Sequence, residues 1–348
     1  MATKRWKRRP EGSTWGDWGE DDQLGRLNLV TKEKVLQGVA EVKEGRTFCL
    51  SLPLDYPGKS LLNPRRSPPV LMPTQRDALP LMGFPMRCVD PTAVDIICDD
   101  KVLLTLQYSS QWDTLAHVGA MFDLDGTGKP VDCFYNGYRA GTDILGPVTY
   151  EGTDAVPRGE HIGAQKLGVE NMAVHGCQGR GVMIDLAAHF GGTGHAVNHD
   201  DLMMIREKDK VVVEPGDFVL LRTGFDRALL AMEKNPDPDR LHATTPALDG
   251  RDPALLQWVT ESGAVALISD NYAVERTPAR PCADDYCAML PLHHHCLFKL
   301  GVYLGEMWLL SDLADWLRAN GRSRFLMTAP PLRLPGAVGS PPSGVATV

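Results

Sequence analysis

Polar side chains alternate along residues 107–117, which read Gln-Tyr-Ser-Ser-Gln-Trp-Asp-Thr-Leu-Ala-His. In an extended chain, alternate side chains point to the same face. Amide and carboxylate oxygens together with an imidazole nitrogen can hold a divalent metal ion. The spacing therefore predicts a metal site on one face of a strand. The side chains on that face are Gln107, Ser109, Gln111, Asp113 and His117.

The residues before this face indicate how it is positioned. Residues 101–106 are β-branched and aliphatic, which predicts a strand that runs into the polar stretch. Residues 53–91 contain many prolines and show little apolar periodicity, which predicts a long irregular loop. Because this loop leads toward the strand, we expect it to form a wall or a lid over the site.

A second segment rich in possible ligands covers residues 292–306. Three adjacent histidines stand near its start, and an apolar stretch follows that stops at Gly301. The pattern predicts a helix over about residues 293–300 and then a strand that returns Glu306 toward the helix start. Neighbouring residues on a helix point about 100° apart. At most one of the three histidines can therefore face a common metal ion, and the other two are expected to pack or to face solvent.

In the order and combination of its motifs, the chain resembles the metal-dependent cyclase superfamily. This superfamily includes kynurenine formamidase, isatin hydrolase and trans-dienelactone hydrolase. Residues 107–117 stand where the family has His-x-Gly-Thr-His-x-Asp-x-Pro-x-His. A family histidine that is followed twelve residues later by a glutamate matches His294 and Glu306. Shorter similarities extend the resemblance over nearly the whole chain, at residues 15–18, 179–185, 215–224 and 335–341.

The resemblance implies one divalent metal ion, zinc or manganese, bound between these two segments. Two motif histidines are glutamines in this sequence, and an amide oxygen is a weaker donor than imidazole. The glutamines either bind the ion directly or form hydrogen bonds to its ligands. Two carboxylates balance the charge of a single ion, so a second ion is not expected. The predicted ligands are Gln107, Gln111, Asp113, His294 and Glu306.

The last histidine of the motif is retained as His117, and the resemblance implies that it acts as a general acid and base. Metal-bound water would then attack a cyclic ester or amide and release a carboxylate. We expect a lactone substrate, by analogy with the dienelactone branch of the family. The candidates for binding a substrate carboxylate are Arg139, Arg180, Arg222 and Arg276.

Two other classes of function remain open at this point. A metal-free descendant of the family would bind a small molecule without hydrolysing it, and the loss of two histidines is consistent with that. A lyase or cyclase would use the same site to activate a hydroxyl group or to abstract a proton instead of supplying water.

Composition narrows the class of protein. The 348 residues carry a formal net charge of −8, which argues against a nucleic-acid partner. No segment approaches the ~18 consecutive apolar residues of a membrane span, and no secretory signal is recognised. Eight cysteines without a Cys-x-x-Cys pair predict reduced thiols in a cytoplasmic enzyme.

Short strands that alternate with helices predict an α/β domain. The resemblance implies the swivelling β/β/α fold of the family, a central mixed sheet flanked by helices, and a homodimer or homotetramer. One domain is expected over residues 13–348, after a basic and disordered tail at residues 1–12. The individual elements predicted are helices near 31–39, 253–261 and 314–320, and strands near 181–186, 218–223, 264–269, 302–307 and 325–329.

Overall fold

A nine-stranded mixed sheet forms the centre of the structure, a computed structural model that describes residues 4–157, 159, 162–282 and 286–348. Its strands in chain order are β1 (Thr47–Cys49), β2 (Gln111–Asp113), β3 (Gln178–Asp185), β4 (Phe218–Arg222), β5 (Ala266–Ser269), β6 (Tyr303–Glu306), β7 (Arg324–Thr328), β8 (Gly339–Ser340) and β9 (Val345–Thr347). Their order across the sheet is β1-β9-β7-β3-β4-β5-β6-β2-β8. Strands β3 to β6 are parallel neighbours, and the remaining pairs are antiparallel. The mixed sheet confirms the predicted fold class.

Helices connect these strands. Within the described residues they are α1 (Lys32–Val39), α2 (Val169–His175), α3 (Ala187–Phe190), α4 (His199–Lys208), α5 (Phe225–Leu230), α6 (Pro238–Thr244), α7 (Pro253–Ser262), α8 (Pro291–His293) and α9 (Ser311–Ala319). A π-helix, His294–Leu300, continues α8, and 3-10 turns lie at Gly25–Leu29, Met86–Cys88 and Tyr135–Gly137. In the described part of the chain, no helix has both the length and the apolar character needed to cross a membrane.

The predicted regular elements are present within a few residues of their expected bounds. Helix α1 begins after Thr31, whose hydroxyl accepts a hydrogen bond from the backbone nitrogen of Lys34, as expected of an N-cap. Strands β3, β4 and β5 are buried along almost their whole length. Strands β4 and β5 are also apolar along most of their length, which is typical of parallel strands covered on both faces.

One hydrophobic cluster extends through the core from Trp6 to Val348. The prediction of a disordered tail at residues 1–12 is wrong for the part that the structure describes. Trp6 is buried against Trp15, and the guanidinium of Arg5 forms an ion pair with Asp21. Residues 1–3 lie outside the described residues.

The segment before β2 is more regular than predicted. Short antiparallel strand pairs occupy its second part: Val70–Pro73 with Asp100–Leu103, Gln75–Arg76 with Leu79–Pro80, and Phe84–Pro85 with Ile96–Ile97. Over residues 70–88 the structure thus has short regular elements where an irregular loop was expected. Strands of two to four residues are too short to produce a recognisable alternation in sequence.

Four more two-stranded ladders lie outside the central sheet. They pair Ala120–Phe122 with Val131–Cys133, Ile144–Leu145 with Gly163–Ala164, Val148–Glu151 with Asp154–Pro157, and Ala196–Val197 with Ala247–Leu248.

The continuous strand predicted through residues 101–117 is interrupted. The first strand ends at Leu103, residues 104–110 contain turns and bends, and β2 begins only at Gln111. His117 lies in a turn after β2. Only Gln111 and Asp113 therefore share a strand face in the way that the alternation predicted.

The cysteines differ from the expectation of fully reduced thiols. Cys282 and Cys287 are joined in a disulfide. The other six cysteines, Cys49, Cys88, Cys98, Cys133, Cys177 and Cys296, are free.

Candidate metal centre

The register between β6 and β2 brings the two predicted segments together. Glu306 lies directly opposite Gln111, and Leu304 lies opposite Asp113. In an antiparallel pair, opposite residues and residues two positions apart point to the same face. The side chains of Gln111, Asp113 and Glu306 therefore meet on one face of the sheet, where all three are buried.

His293, at the end of α8, completes this group. Its Nε2 atom lies 3.1 Å from Oε1 of Glu306. One ligand atom from each of Asp113, His293 and Glu306 lies within 4.8 Å of the other two, and all three residues are buried. A nitrogen and two carboxylates that converge in this way can hold a divalent cation.

Glu275 fixes the orientation of His293. Its Oε1 atom accepts hydrogen bonds from Nδ1 of His293 at 2.8 Å and from the backbone nitrogen of the same residue at 3.0 Å. Its Oε2 atom accepts a hydrogen bond from the backbone nitrogen of Leu292 at 3.0 Å. The carboxylate thus binds buried N–H groups at the start of a helix, which have no acceptor within the helix and favour a negative charge. It also holds the imidazole in one orientation.

Sequence reasoning missed Glu275. A signal for it exists, because Glu275 follows the buried parallel strand β5 by a few residues. The carboxyl ends of parallel strands are where open α/β sheets place their ligands. The position of this carboxylate in the sequence therefore indicates that it belongs to the site, together with the two motif segments.

Burial and pairing set the protonation of the group. Burial lowers the pKa of His293, but hydrogen bonds to Glu275 and Glu306 outweigh this and raise the pKa to about 10. Burial raises the pKa of Glu306, but the hydrogen bond and charge of His293 bring the pKa below its usual value. Burial and the charge of Glu306 raise the pKa of Asp113, although His117 opposes them. Without a cation, His293 is therefore a charged imidazolium.

Gln111 bridges the two carboxylates through its amide nitrogen. The Nε2 atom donates to Asp113 Oδ1 and to Glu306 Oε2, both at 3.1 Å. The amide oxygen faces the other way and accepts a hydrogen bond from Arg66 at 3.1 Å. Direct ligation by the amide oxygen is therefore not found. The geometry favours the alternative, in which Gln111 forms hydrogen bonds to the ligands.

Gln107 does not join this group, so its predicted role as a ligand is not supported. It lies in the turn before β2, and its side chain approaches Gly339. Its carbonyl oxygen accepts a hydrogen bond from Arg66 at 2.6 Å. The prediction assumed that the strand extended through residue 107, which it does not.

The predicted ligand His294 does not converge with Asp113 and Glu306 in the structure, and His293 lies there instead. The ring of His294 stacks on Phe298, with ring centroids 5.1 Å apart, and burial followed by the charge of Lys299 lowers the pKa of His294 to about 4. Adjacent helix positions point about 100° apart, so only one of the neighbouring histidines can reach Glu306. The family spacing of twelve residues selected His294, whereas His293 is the histidine that lies beside Glu306.

His117 lies beside the carboxylates and reaches a cavity. Its Nε2 atom is 3.7 Å from Asp113 Oδ1, and its side chain is 21% exposed. The cavity has a volume of about 410 Å³ and reaches the candidate metal centre. It is lined by Arg65, Arg66, Thr105, Gln107, His117, Tyr272, Ala273, Thr277, Leu290, His293, Glu306 and Val338. The two arginines come from the proline-rich segment, which confirms its predicted role as a wall of the site.

Comparison with known proteins identifies the family. The family model described as "Putative cyclase" matches residues 49–276. The chain belongs to this cyclase family. A crystal structure of a novel cyclase has a TM-score of 0.72 and 29% sequence identity, and the match covers 97% of each chain.

More distant structures share the cyclase-family fold. Isatin hydrolase A from Labrenzia aggregata, bound to benzyl benzoate, has a TM-score of 0.53 and 15% identity, over 90% of this chain and 97% of the other. Isatin hydrolase A from Ralstonia solanacearum has a TM-score of 0.53 and 16% identity, and the match covers 91% of this chain and 97% of the other. No protein with a curated description matches the sequence significantly.

The donor set of this cyclase-family chain fits a divalent cation. The carboxylates of Asp113 and Glu306 balance two positive charges, and His293 supplies a nitrogen. Histidines that bind metals usually donate their other N–H group to a carboxylate, and Glu275 accepts that bond here. For Nε2 of His293 to bind a cation, it must first lose its proton.

The four arginines suggested as carboxylate binders do not line this cavity. They are held elsewhere: Arg139 near Asp125, Arg180 on Asp217, Arg222 on Asp185 and Arg276 on the carbonyl of Gly194. The pair formed by Arg180 and Asp217 is buried and bidentate, with both distances at 2.8 Å. Arg180 is therefore part of the structural core.

Proposed function

We propose that this protein is a metal-dependent hydrolase that opens a cyclic ester or amide. The observation that carries the proposal is the convergence of Asp113, His293 and Glu306 within 4.8 Å beside a cavity. These residues would hold one zinc or manganese ion. Such an ion lowers the pKa of a coordinated water and polarises a carbonyl group. Membership of the cyclase family and the shared fold of the isatin hydrolases support this class of reaction.

His117 is the residue of this chain that moves protons. Its ring lies at the cavity, with Nε2 3.7 Å from the carboxylate of Asp113. The imidazole takes a proton from the attacking water and returns it to the ring oxygen or nitrogen as the bond to the carbonyl carbon breaks. The products are a carboxylate and an alcohol or amine on one molecule.

Lactones are the substrates that we propose within this class, by analogy with the dienelactone branch of the family. The size of the cavity is compatible with this choice. At about 410 Å³, it lies within the range of ~300–1,000 Å³ that is typical of small-molecule sites.

The test is a panel of lactones, cyclic imides and aryl formamides, assayed with chelator-treated protein before and after addition of zinc or manganese. We expect turnover only after the metal is added, with solvent oxygen-18 in the carboxylate of the product. Turnover without solvent oxygen in the product would favour a cyclase or lyase. Turnover that does not depend on metal would contradict the proposal.

A metal-free binding protein of the same fold is the second candidate, because the carboxylates already have partners within the chain. Gln111 donates to Asp113 and Glu306, and His293 donates to Glu306 and Glu275. Calorimetric titration of the chelator-treated protein with zinc or manganese separates the two candidates. Absence of binding favours the metal-free protein.

A further inference from the structure

Arg66 brings a positive charge to the cavity that the proposed hydrolysis does not use. Its Nη1 atom donates to the carbonyl of Gln107 and to the amide oxygen of Gln111. Among the described residues, its Nε and Nη2 atoms have no hydrogen-bond partner, and the guanidinium forms no ion pair. The half-buried side chain lines the cavity. Part of a guanidinium is thus left for a ligand.

A tight turn holds Arg66 in this place. Asn63 is buried, with 7% of its surface exposed, and its carbonyl accepts a hydrogen bond from the backbone nitrogen of Arg66 at 3.0 Å. The Asn63 amide nitrogen donates to the hydroxyl of Tyr272 at 3.1 Å. The Arg66 guanidinium carbon lies 5.9 Å from the centroid of the Tyr272 ring. The arginine is therefore positioned before any ligand arrives, which reduces the entropic cost of binding.

The charges around the cavity favour the binding of an anion. The carboxylates of Asp113 and Glu306 balance a divalent cation, and Glu275, hydrogen-bonded to a His293 that is neutral when it binds the cation, keeps one negative charge. Arg65 also lines the cavity and, among the described residues, has no acidic partner; its Nε atom contacts the amide oxygen of Asn63. Two guanidinium charges at the wall formed by residues 65–66 thus stand against one uncompensated carboxylate, which leaves a net positive charge at the cavity.

We propose that Arg66 binds a carboxylate on the substrate, so that the substrate class is an acidic lactone or an acidic cyclic amide. This inference rests on the proposed hydrolase function. A guanidinium recognises a carboxylate through paired hydrogen bonds. Only the amide of Gln111 separates Arg66 from the carboxylates of Asp113 and Glu306. The bound carboxylate therefore lies a few atoms from the carbonyl that is attacked, as a substituent on the ring itself.

Two matched lactones test the proposal. One is γ-butyrolactone with a carboxylate on the carbon next to the ring oxygen, and the other carries a hydroxymethyl group there instead. Both are assayed with zinc-loaded wild type, Arg66→Met, Arg66→Lys and the control Arg87→Met. Arg87 lies in the same segment and is exposed. Binding of tetrahydrofuran-2-carboxylate, which has no carbonyl in its ring, is measured by calorimetry in the same proteins.

We expect wild type and Arg87→Met to prefer the acidic lactone in kcat/KM by at least about tenfold. In Arg66→Met this preference falls by about 10- to 100-fold, and the affinity for tetrahydrofuran-2-carboxylate falls by a similar factor. Arg66→Lys should have a preference and an affinity between those of wild type and Arg66→Met. Lysine keeps the positive charge but lacks the planar guanidinium that forms paired hydrogen bonds.

The two proposals fail in different ways. If wild type hydrolyses both lactones and Arg66→Met keeps the same preference and the same affinity for the probe, the role of Arg66 is overturned and the hydrolase function stands. If wild type hydrolyses neither lactone, the proposal of a lactone substrate is contradicted. The role of Arg66 is then tested by the binding of tetrahydrofuran-2-carboxylate alone. Loss of probe binding in Arg66→Met then supports the anion site, and unchanged binding overturns it.

Discussion

One carboxylate oxygen of Glu275 accepts hydrogen bonds from both the backbone nitrogen and the ring Nδ1 atom of His293, at 3.0 Å and 2.8 Å. The same oxygen atom of Glu275 therefore binds both the start of the helix and the imidazole ring. His293 Nε2 is left pointing at Glu306. The position of the nitrogen donor in the candidate metal centre thus depends on a residue outside both motif segments.

Glu275→Gln should weaken metal binding while the protein stays folded. An amide cannot accept all three hydrogen bonds that this carboxylate receives, so the imidazole loses its fixed orientation. Loss of such a partner typically lowers metal affinity by about 10- to 100-fold. Competition with a chromophoric chelator measures the affinity, and circular dichroism checks the fold. Glu261→Gln, on the exposed face of α7, serves as the control.

Gly250→Ala tests the role of Glu275 by a substitution outside the candidate metal centre. A Cβ atom at position 250 would lie 2.1 Å from Oε2 of Glu275, so the carboxylate would have to move. Metal affinity should fall in this variant as well. Wild-type affinity in both Glu275→Gln and Gly250→Ala would show that Glu275 does not orient a metal-binding histidine.

Single substitutions of the neighbouring histidines distinguish the ligand that the structure favours from the one that the sequence predicted. His293→Ala should lower metal affinity by more than about 100-fold, because it removes one of three converging donors. His294→Ala should keep the metal and lose only about 1 kcal/mol of stability from its ring contact with Phe298. Elemental analysis and urea unfolding measure the two effects. The reverse pattern would restore His294 as the ligand.

His117→Ala should separate catalysis from metal binding. General acid–base catalysis contributes about 10²- to 10⁴-fold to a rate, so kcat should fall by that factor with the metal content unchanged. His175→Ala is the matched control, because His175 is an exposed histidine that does not line the cavity. Near-normal turnover in His117→Ala would remove this residue from the proposed mechanism.

The stability of the metal-free protein should depend on pH through His293. Its pKa is about 10 in the folded protein, compared with an ordinary value of 6.5. The folded state therefore holds the proton more tightly, and the resulting stability is complete below about pH 6.5 and lost as pH rises through about 10. The free energy of unfolding should fall by up to about 1.4 kcal/mol per pH unit in this range.

Urea unfolding in the presence of chelator between about pH 8 and pH 9.5 measures this effect, above the range in which most carboxyl groups titrate. His293→Gln should show a flatter dependence than wild type. His294→Gln should match wild type, since the pKa of His294 is lowered to about 4 and this group does not titrate in that range. Parallel curves for wild type and His293→Gln would contradict the pairing of His293 with Glu275 and Glu306.

The sequence predicted the framework of the fold because its signals are local. The strands β4 and β5 and residues 182–184 of β3 are apolar runs, and Thr31 marks the start of α1. The interrupted path into β2 was not predictable in the same way. The polar alternation over residues 107–117 is real, but a turn takes up its first half.

Only the site residues whose side-chain direction follows from their spacing in the sequence could be predicted. Asp113 was identified from the polar alternation and the family motif, and Glu306 from the family spacing. The structure brings them together because each ends a strand and the two strands pair in register. The choice between His293 and His294 depends on the rotation of one helix against the sheet, which no local pattern specifies. Arg66 contributes through a turn fixed by the distant Tyr272, a contact that exists only after folding.

Metal content per chain is the most direct test of the central claim. Protein purified without chelator, and then supplied with zinc or manganese and desalted, is analysed for wild type, Asp113→Asn and His293→Ala. We predict about one equivalent of metal in wild type and less than about a tenth of an equivalent in either variant. A wild-type protein that holds less than about a tenth of an equivalent after this treatment would contradict the account.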